Sequence, residues 1–220
     1  MAIKSKHKDA VLFFRMGDFY EMFFEDAKTG AAVLGITLTS RAHGKSADVP
    51  LAGFPHHALD TYLAKMIKAG YRVAICEQTE NPKFAKTIVK REVLEVVTPG
   101  TTLVDDLLET KKNNYLLGLF VHDQRCGTAV VDVSTGEFRV GEIGFEGLAE
   151  FILTLAPAEI LLSAALQPAV EELLKGSPWI TLTRREEWMF HHDYAVETLN
   201  DHFGTLSLKG FGIEDLPLGI

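Results

Sequence analysis

Short apolar runs alternate with amphipathic stretches in the first half of the chain, and glycine or proline separates many of them. Val11 to Met16 is mostly apolar and predicts a strand, which Gly17-Asp18 breaks. Residues 71–78 and 92–97 are rich in β-forming side chains and predict two further strands. After Pro50, apolar side chains at helical intervals predict a helix that ends at Gly70; they are Leu59, Tyr62, Leu63, Met66 and Ile67.

The stretch after Gly17 fits two patterns. In the first, Asp18 caps a helix with Glu21 three positions on, and one face of that helix is apolar: Tyr20, Phe24, Ala27, Ala31 and Leu34. In the second, the strand continues, and Phe19 and Glu21 share a face with Arg15 and Gly17, opposite Phe14, Met16, Tyr20 and Met22. Both patterns place Phe19 and Glu21 away from the core.

Two basic segments flank the helix that follows Pro50. Residues 36–41 alternate like a strand and lead into residues 42–50, which are predicted to form an exposed polar loop; Arg41, His43 and Lys45 lie here. Lysine and arginine cluster again in residues 82–91. Residues 1–91 hold 14 Lys and Arg against 9 Asp and Glu, so this part of the chain can approach a polyanion.

The second half begins as a run of strands. Residues 115–123, 126–134 and 136–143 predict three successive antiparallel strands separated by turn residues. From Gly147 the pattern changes to helix, strand, helix and strand. This order predicts a mixed sheet with helices on its faces, as in a ribonuclease-H-like domain.

Length and composition indicate an α/β protein of two domains. The 220 residues are enough for one large or two ordinary domains; we favour two and place the boundary in the polar connection, giving domains at 1–108 and 109–220. Residues 92–220 hold 8 Lys and Arg against 21 Asp and Glu, so this part of the chain is expected to be repelled by nucleic acid. No apolar run is long enough for a bilayer span and no secretory signal is present, which favours the cytoplasm.

Motifs for common enzyme chemistry are missing from the sequence. There is no GxxxxGK[ST] or GxGxxG to hold a nucleotide, and Cys76 and Cys126 form no CxxC. The pairs His56-His57 and His191-His192 are adjacent, and in a strand they would point to opposite faces rather than share a metal ion. We expect no catalytic residue, cofactor site or metal site in this chain.

A metal-dependent nuclease is the enzymatic alternative. Two-metal chemistry needs converging carboxylates, and Asp132 lies in a predicted strand of the ribonuclease-H-like block. The nearby glutamates have spacings that are ordinary for turns and solvated faces. The nuclease is therefore kept only as the weaker hypothesis.

Phe19 and Glu21 have a structural and a functional interpretation. A partly buried Phe beside a helix-capping Glu is the commoner role for such residue types. An exposed aromatic ring can instead insert between base steps in the minor groove and kink the duplex. Residue types alone leave both open.

A family resemblance favours the functional interpretation of Phe19 and Glu21. Three blocks of sequence resemble the first part of the MutS family, which recognises DNA mismatches: FFRMGDFYEMFFEDA, LAGFPHHALDTYLAKMIKAGYRVAICEQ and EVVTPGT. With the GFG at residues 210–212, the resemblance covers essentially the whole chain. It implies a mixed-sheet mismatch-recognition domain followed by a ribonuclease-H-like connector domain without nuclease activity.

The resemblance also implies roles for single residues. The family's Phe-x-Glu motif matches Phe19 and Glu21, so Phe19 is expected to stack on a mispaired or unpaired base while Glu21 hydrogen-bonds to that base. Met16 and Arg41 match positions near the family's DNA surface, and Arg41 and Lys45 are expected to contact phosphate.

Partners follow from the same resemblance. They are mismatched double-stranded DNA and, through the connector, MutL. The family continues into lever, clamp and ATPase domains, so ATP, magnesium and dimerisation are expected only of a full-length protein, and this chain is expected to be a non-enzymatic fragment. The connector could end before its last helix.

Overall fold

The computed structural model describes residues 3–43, 46–80, 89–103, 113–177 and 179–220. The chain divides into two compact units, Met1–Leu107 and Leu108–Ile220, each with its own sheet. None of the helices in the described part of the chain is both long and apolar enough to cross a bilayer.

A six-stranded mixed sheet forms the first unit. Its elements in chain order are β1 (Val11–Met16), β2 (Phe19–Phe23), α1 (Phe24–Leu34), β3 (Thr39–His43), β4 (Ser46–Pro55), α2 (Leu59–Lys68), β5 (Val73–Gln78) and β6 (Arg91–Val97). The strand order is β3-β4-β2-β1-β5-β6. Among these strands β1 and β5 pair in parallel, and the other neighbours are antiparallel.

The main core of this unit lies between the sheet and its two helices. Phe13, Tyr20 and Phe54 meet there, with the rings of Phe13 and Phe54 edge to face at 4.9 Å between centroids. Buried side chains of α1 and α2 complete the cluster; they are Ala27, Ala31, Leu34, Leu63, Met66 and Ile67. A smaller cluster on the opposite face includes Leu12 and Cys76.

The second unit is a five-stranded mixed sheet with helices. Its elements are β7 (Tyr115–His122), β8 (Arg125–Asp132), β9 (Glu137–Gly144), α3 (Leu148–Leu155), β10 (Glu159–Ser163), α4 (Gln167–Leu173), β11 (Thr181–Arg185) and α5 (His192–Phe203). The order is β11-β10-β7-β8-β9, with β7, β8 and β9 antiparallel and β10 parallel to both of its neighbours. The predicted α/β class and the predicted mixed sheet are confirmed.

Some local predictions were wrong. Residues 46–50 belong to β4 rather than to a polar loop, and β4 runs on to Pro55. The strand predicted over residues 36–41 begins only at Thr39. The burial of alternate residues is what a strand produces: Ala52 and Phe54 enter the core, while Gly53 between them does not. The helix predicted from Asp18 is also wrong, because α1 begins at Phe24.

Candidate nucleic-acid interface

A tight β-hairpin presents Phe19. Gly17 and Asp18 form the two-residue turn between β1 and β2, and Met16 pairs with Phe19 across it. Gly17 has φ of 60°, a left-handed conformation that glycine adopts at little cost. The residues after the turn, Phe19–Phe23, pair with Pro55–Leu51 of β4. This ladder satisfies their backbone groups and outweighs the capping-box signal, which is local.

The turn also changes which residues share a face. Opposite residues of an antiparallel pair point to the same side, so Met16 lies beside Phe19, and Phe14 beside Glu21. Arg15 pairs with Tyr20 on the helix-covered side instead. The predicted face of Phe19 with Arg15 and Gly17 is therefore wrong, because a two-residue turn shifts the alternation that a continuous strand would keep.

Exposure separates the two aromatic residues of the motif. The side chain of Tyr20 is 2% exposed and belongs to the core, whereas Phe19 is 47% exposed. The prediction that Phe19 lies away from the core is confirmed. Its ring stands at the end of a hairpin, next to the turn, where it can reach a partner.

An open cleft of about 480 Å³ lies beside Phe19. It is lined by Phe19, Glu21, Gly35, Ile36, Thr37, Thr39, Leu51 and Gly53. The Oε2 atom of Glu21 is buried here and has no hydrogen-bond partner. A buried acceptor without a partner is costly, and a donor brought by a ligand would remove that cost.

Both carbonyls of the hairpin turn are held from within the first unit. Arg15 Nε donates to the Gly17 oxygen at 2.6 Å, and the His56 amide donates to the Asp18 oxygen at 2.8 Å. Below the turn, the Tyr20 hydroxyl donates to Glu77 Oε1. Burial and this hydrogen bond to Glu77 raise the pKa of Tyr20 above its usual range.

The predicted phosphate contacts are only partly described. Arg41 lies in β3 and pairs with Val49, close to the Thr39–Leu51 pair that lines the cleft. Lys45 and most of the basic segment at residues 82–91 lie outside the described residues. Arg91, at the end of that segment, donates from Nε to the Arg15 carbonyl at 2.9 Å, and its guanidinium lies 5.2 Å from the Phe14 ring centroid.

Sequence reasoning missed the cleft residues Leu51 and Gly53. Both face away from the core on β4, opposite Phe23 and Glu21 respectively. The signal that could have found them is the alternation of Leu51 and Gly53 with the buried Ala52 and Phe54. The predicted polar loop and the strong helical pattern that begins at Leu59 masked it.

The second unit gives the nuclease hypothesis no support. Asp132 is fully buried, and its carboxylate accepts hydrogen bonds from the Ser134 hydroxyl at 2.6 Å, the Ser134 amide at 2.9 Å and the Asn114 amide at 3.2 Å. Burial alone would raise the pKa of Asp132, but these hydrogen bonds and one from the Asn113 side chain outweigh it and hold the pKa below its usual value. Asp132 therefore organises the β8–β9 turn.

The described residues also offer neither a metal site nor an activated thiol. The described part of the chain contains no group of three His, Cys, Asp or Glu side chains able to hold a metal ion. Cys76 and Cys126 are both buried, and burial raises the pKa of each thiol.

Comparison with known proteins accounts for both units. Two family models match the chain, MutS domain I over residues 1–106 and MutS domain II over residues 114–220. A curated relative from Salinibacter ruber, described as DNA mismatch repair protein MutS, is 47% identical over 223 residues, covering 99% of this chain and 24% of the relative. Relatives of the same description from Flavobacterium psychrophilum and Bacteroides fragilis are each 47% identical over 218 residues, covering 99% of this chain and 25% of the relative.

The chain thus spans about a quarter of the length of the curated relatives it matches. The two matched models follow the division into two units, and the mixed sheets fit the fold expected of each. The chain belongs to the MutS family and corresponds to domains I and II of that family.

Proposed function

We propose that the first unit recognises a mispaired or unpaired base in double-stranded DNA, with Phe19 as a wedge in the minor groove. The observation that carries the proposal is that the half-exposed Phe19 ring and a buried Glu21 oxygen without a hydrogen-bond partner lie on the same face of the hairpin. The relatives' description as DNA mismatch repair proteins supports it.

Deformability explains how such a site can detect a mismatch without reading sequence. A mispair is weakly stacked, so inserting a ring and bending the helix costs less there than at a matched pair. Stacking of a base on an aromatic side chain contributes about 1–3 kcal/mol. The wedge therefore gains a similar contact at any site but pays a smaller deformation cost at the mismatch.

Glu21 completes the contact in this proposal. Its buried oxygen can accept a hydrogen bond from the base. Glu21→Gln keeps an acceptor oxygen, adds an N–H donor and removes the charge, so heteroduplex binding should be preserved or tightened. Loss of binding in a folded Glu21→Gln variant would assign the carboxylate another role.

Further contacts are proposed around the wedge. Met16 pairs with Phe19 across the turn, and we propose that it touches the same groove, while Arg41 and Lys45 are proposed to bind phosphate. The second unit, residues 108–220, holds 8 Lys and Arg against 17 Asp and Glu; this acidity favours a protein partner, and we propose MutL. For a full-length member of the family we propose ATP and magnesium binding, dimerisation and a location in the cytoplasm.

The experiment uses a chimera in which this chain replaces the matching segment of the Salinibacter ruber relative, because a modest basic patch alone should bind DNA weakly. Phe19→Ala is compared with Phe24→Ala, which removes a ring of similar exposure, 41%, from the start of α1. Dissociation constants are measured on heteroduplex and matched duplex at one salt concentration.

We expect Phe19→Ala to lose about 5- to 150-fold in heteroduplex affinity, the equivalent of one stacked base. Phe24→Ala should keep the wild-type preference. If Phe19→Ala discriminates as well as wild type does, Phe19 is not the wedge. Cleavage of either duplex in the presence of magnesium, abolished by Asp132→Asn, would instead revive the nuclease hypothesis.

A further inference from the structure

Behind the wedge, three side chains meet on the helix-covered side of the sheet. Arg15 and Tyr20 are a cross-strand pair of β1 and β2, and Glu77 lies near the end of β5. Arg15 Nη1 lies 3.3 Å from Glu77 Oε1, and the Tyr20 hydroxyl donates to the same oxygen. The side chains of Arg15 and Glu77 are 19% and 24% exposed, so solvent weakens this ion pair less than it would a surface pair.

One guanidinium connects this cluster to the hairpin turn. While Nη1 of Arg15 faces Glu77, its Nε donates to the Gly17 carbonyl at 2.6 Å. The planar fork of arginine can hold two acceptors in fixed directions, which the single ammonium of a lysine cannot do with the same geometry. Arg15 therefore ties the turn to β5, a strand two positions away from β2 in the sheet.

We propose that Arg15 is a positioning residue for Phe19: held by Glu77, it fixes the hairpin turn so that the ring enters the DNA as a rigid wedge. The inference rests on the proposed function. Stacked bases resist the insertion of a ring, so a flexible turn would let Phe19 move out of the way and lose part of its contact with the base. Holding the turn in place before binding avoids that loss.

A phosphate contact is the competing role for a basic residue near DNA. Arg15 pairs with Tyr20 on the side of the sheet opposite Phe19, and its guanidinium is already bound to Glu77 and to Gly17. A phosphate contact predicts that removing the Arg15 charge weakens binding to every duplex and that removing the Glu77 charge strengthens it. A positioning role predicts that both changes act in the same direction, and on discrimination only.

The test measures the ratio of heteroduplex to matched-duplex affinity in the Salinibacter ruber chimera. Arg15→Lys, which keeps the charge, and Glu77→Met, which removes the acceptor, should each lower the ratio by about fivefold to tenfold, with matched-duplex affinity within about twofold of wild type. Tyr20→Phe is the matched control, since it removes one hydrogen bond to Glu77 and leaves the link from Arg15 to Gly17. It should keep the wild-type ratio.

A second measurement needs no DNA. In the free 220-residue chain, Arg15→Lys should speed amide hydrogen exchange at residues 17–20 relative to the rest of β1 and β5, and Tyr20→Phe should not. Unchanged exchange in Arg15→Lys would overturn the inference.

The two proposals fail differently. A wild-type chimera without any preference for the heteroduplex overturns the proposed function and this inference with it. A wild type that discriminates while Arg15→Lys keeps the full ratio overturns the positioning role alone. Equal losses on both duplexes in Arg15→Met, which removes the charge, together with gains in Glu77→Met, would assign Arg15 to a phosphate.

Discussion

Gly53→Ala tests the packing that brings β2 and β4 together at the cleft. A Cβ atom at position 53 would lie 2.9 Å from the Tyr20 carbonyl oxygen and 3.4 Å from Glu21 Cγ. The first distance is too short for a carbon and a backbone oxygen. Since β4 is hydrogen-bonded to β3 on one side and β2 on the other, it cannot simply move away. Restoring an ordinary contact of about 3.5 Å therefore shifts β2 by roughly 0.6 Å.

The energetic cost follows from two opposing contributions. Overpacking of a fitted site typically costs about 1–3 kcal/mol, and replacing glycine by alanine returns about 0.4–1 kcal/mol through the unfolded chain. A net loss of about 1.5 kcal/mol is expected, which lowers the Tm of a unit of this size by roughly 6–12 °C. Because Phe19 and Glu21 lie on the strand that shifts, heteroduplex preference should fall as well.

Gly118→Ala is the control for this prediction. Gly118 is also in an internal strand, β7, but a Cβ there would lie 3.6 Å from the nearest atoms, an ordinary contact. Calorimetric unfolding of the two variants and wild type should show a loss for Gly53→Ala and no loss, or a small gain, for Gly118→Ala. Equal stability of the two variants would refute the close approach of β2 and β4 described here.

Three further predictions concern stability and pH. The pKa of Tyr20 is raised in the folded protein, so the stability that its neutral hydroxyl contributes is present below the ordinary tyrosine pKa and is lost above it. Urea unfolding should therefore show that wild type loses more stability than Tyr20→Phe between about pH 9 and 11. Asp132 has a lowered pKa in the folded protein, so the stability it contributes is lost as pH falls below about 4. Asp132→Ala should therefore cost about 2 kcal/mol of unfolding free energy at pH 7 and less in acid, measured by urea unfolding at each pH. An equal cost at both pH values would contradict the hydrogen bonds from Ser134. Ala156 has φ of 48° at the end of α3, so Ala156→Gly should stabilise the protein by roughly 0.5–1 kcal/mol, and a lower Tm would contradict that backbone conformation.

Much of the fold follows from burial patterns that the sequence shows directly. Val11–Met16 and Leu59–Lys68 were predicted close to their true limits, because one is a short apolar run and the other has a regular 3.6-residue period. The succession of strands and helices along the second unit was also predicted, and with it the mixed sheet, since three strands followed by alternating helices and strands have few compact arrangements.

The hairpin was harder, for a physical reason. Residues 18–34 carry a capping-box spacing and a helical apolar stripe, and both signals are local. What decides the structure of Phe19–Phe23 is pairing with Pro55–Leu51, more than 25 residues away in sequence. With residues 42–50 predicted as a loop, the sequence offered no strand next to Pro55 with which Phe19–Phe23 could pair.

Exposure of Phe19 was nevertheless predicted, because either pattern puts Tyr20 in the core and its neighbour outside. The bracing of the turn by Arg15 and Glu77 was not predictable in the same way. It depends on β1 and β5 lying side by side, which places Arg15 within reach of Glu77, 62 positions further along the chain.

Photo-crosslinking from position 19 tests the central claim most directly. Phe19 is replaced by p-benzoylphenylalanine in the chimera, which is irradiated on duplexes whose single mismatch is moved in steps of five base pairs, and the crosslinked nucleotide is mapped. The wedge predicts crosslinks at or beside the mispaired base that move with the mismatch. Crosslinks that stay at a fixed distance from the duplex end, or that spread evenly along it, would contradict the assignment of Phe19 to the mismatch.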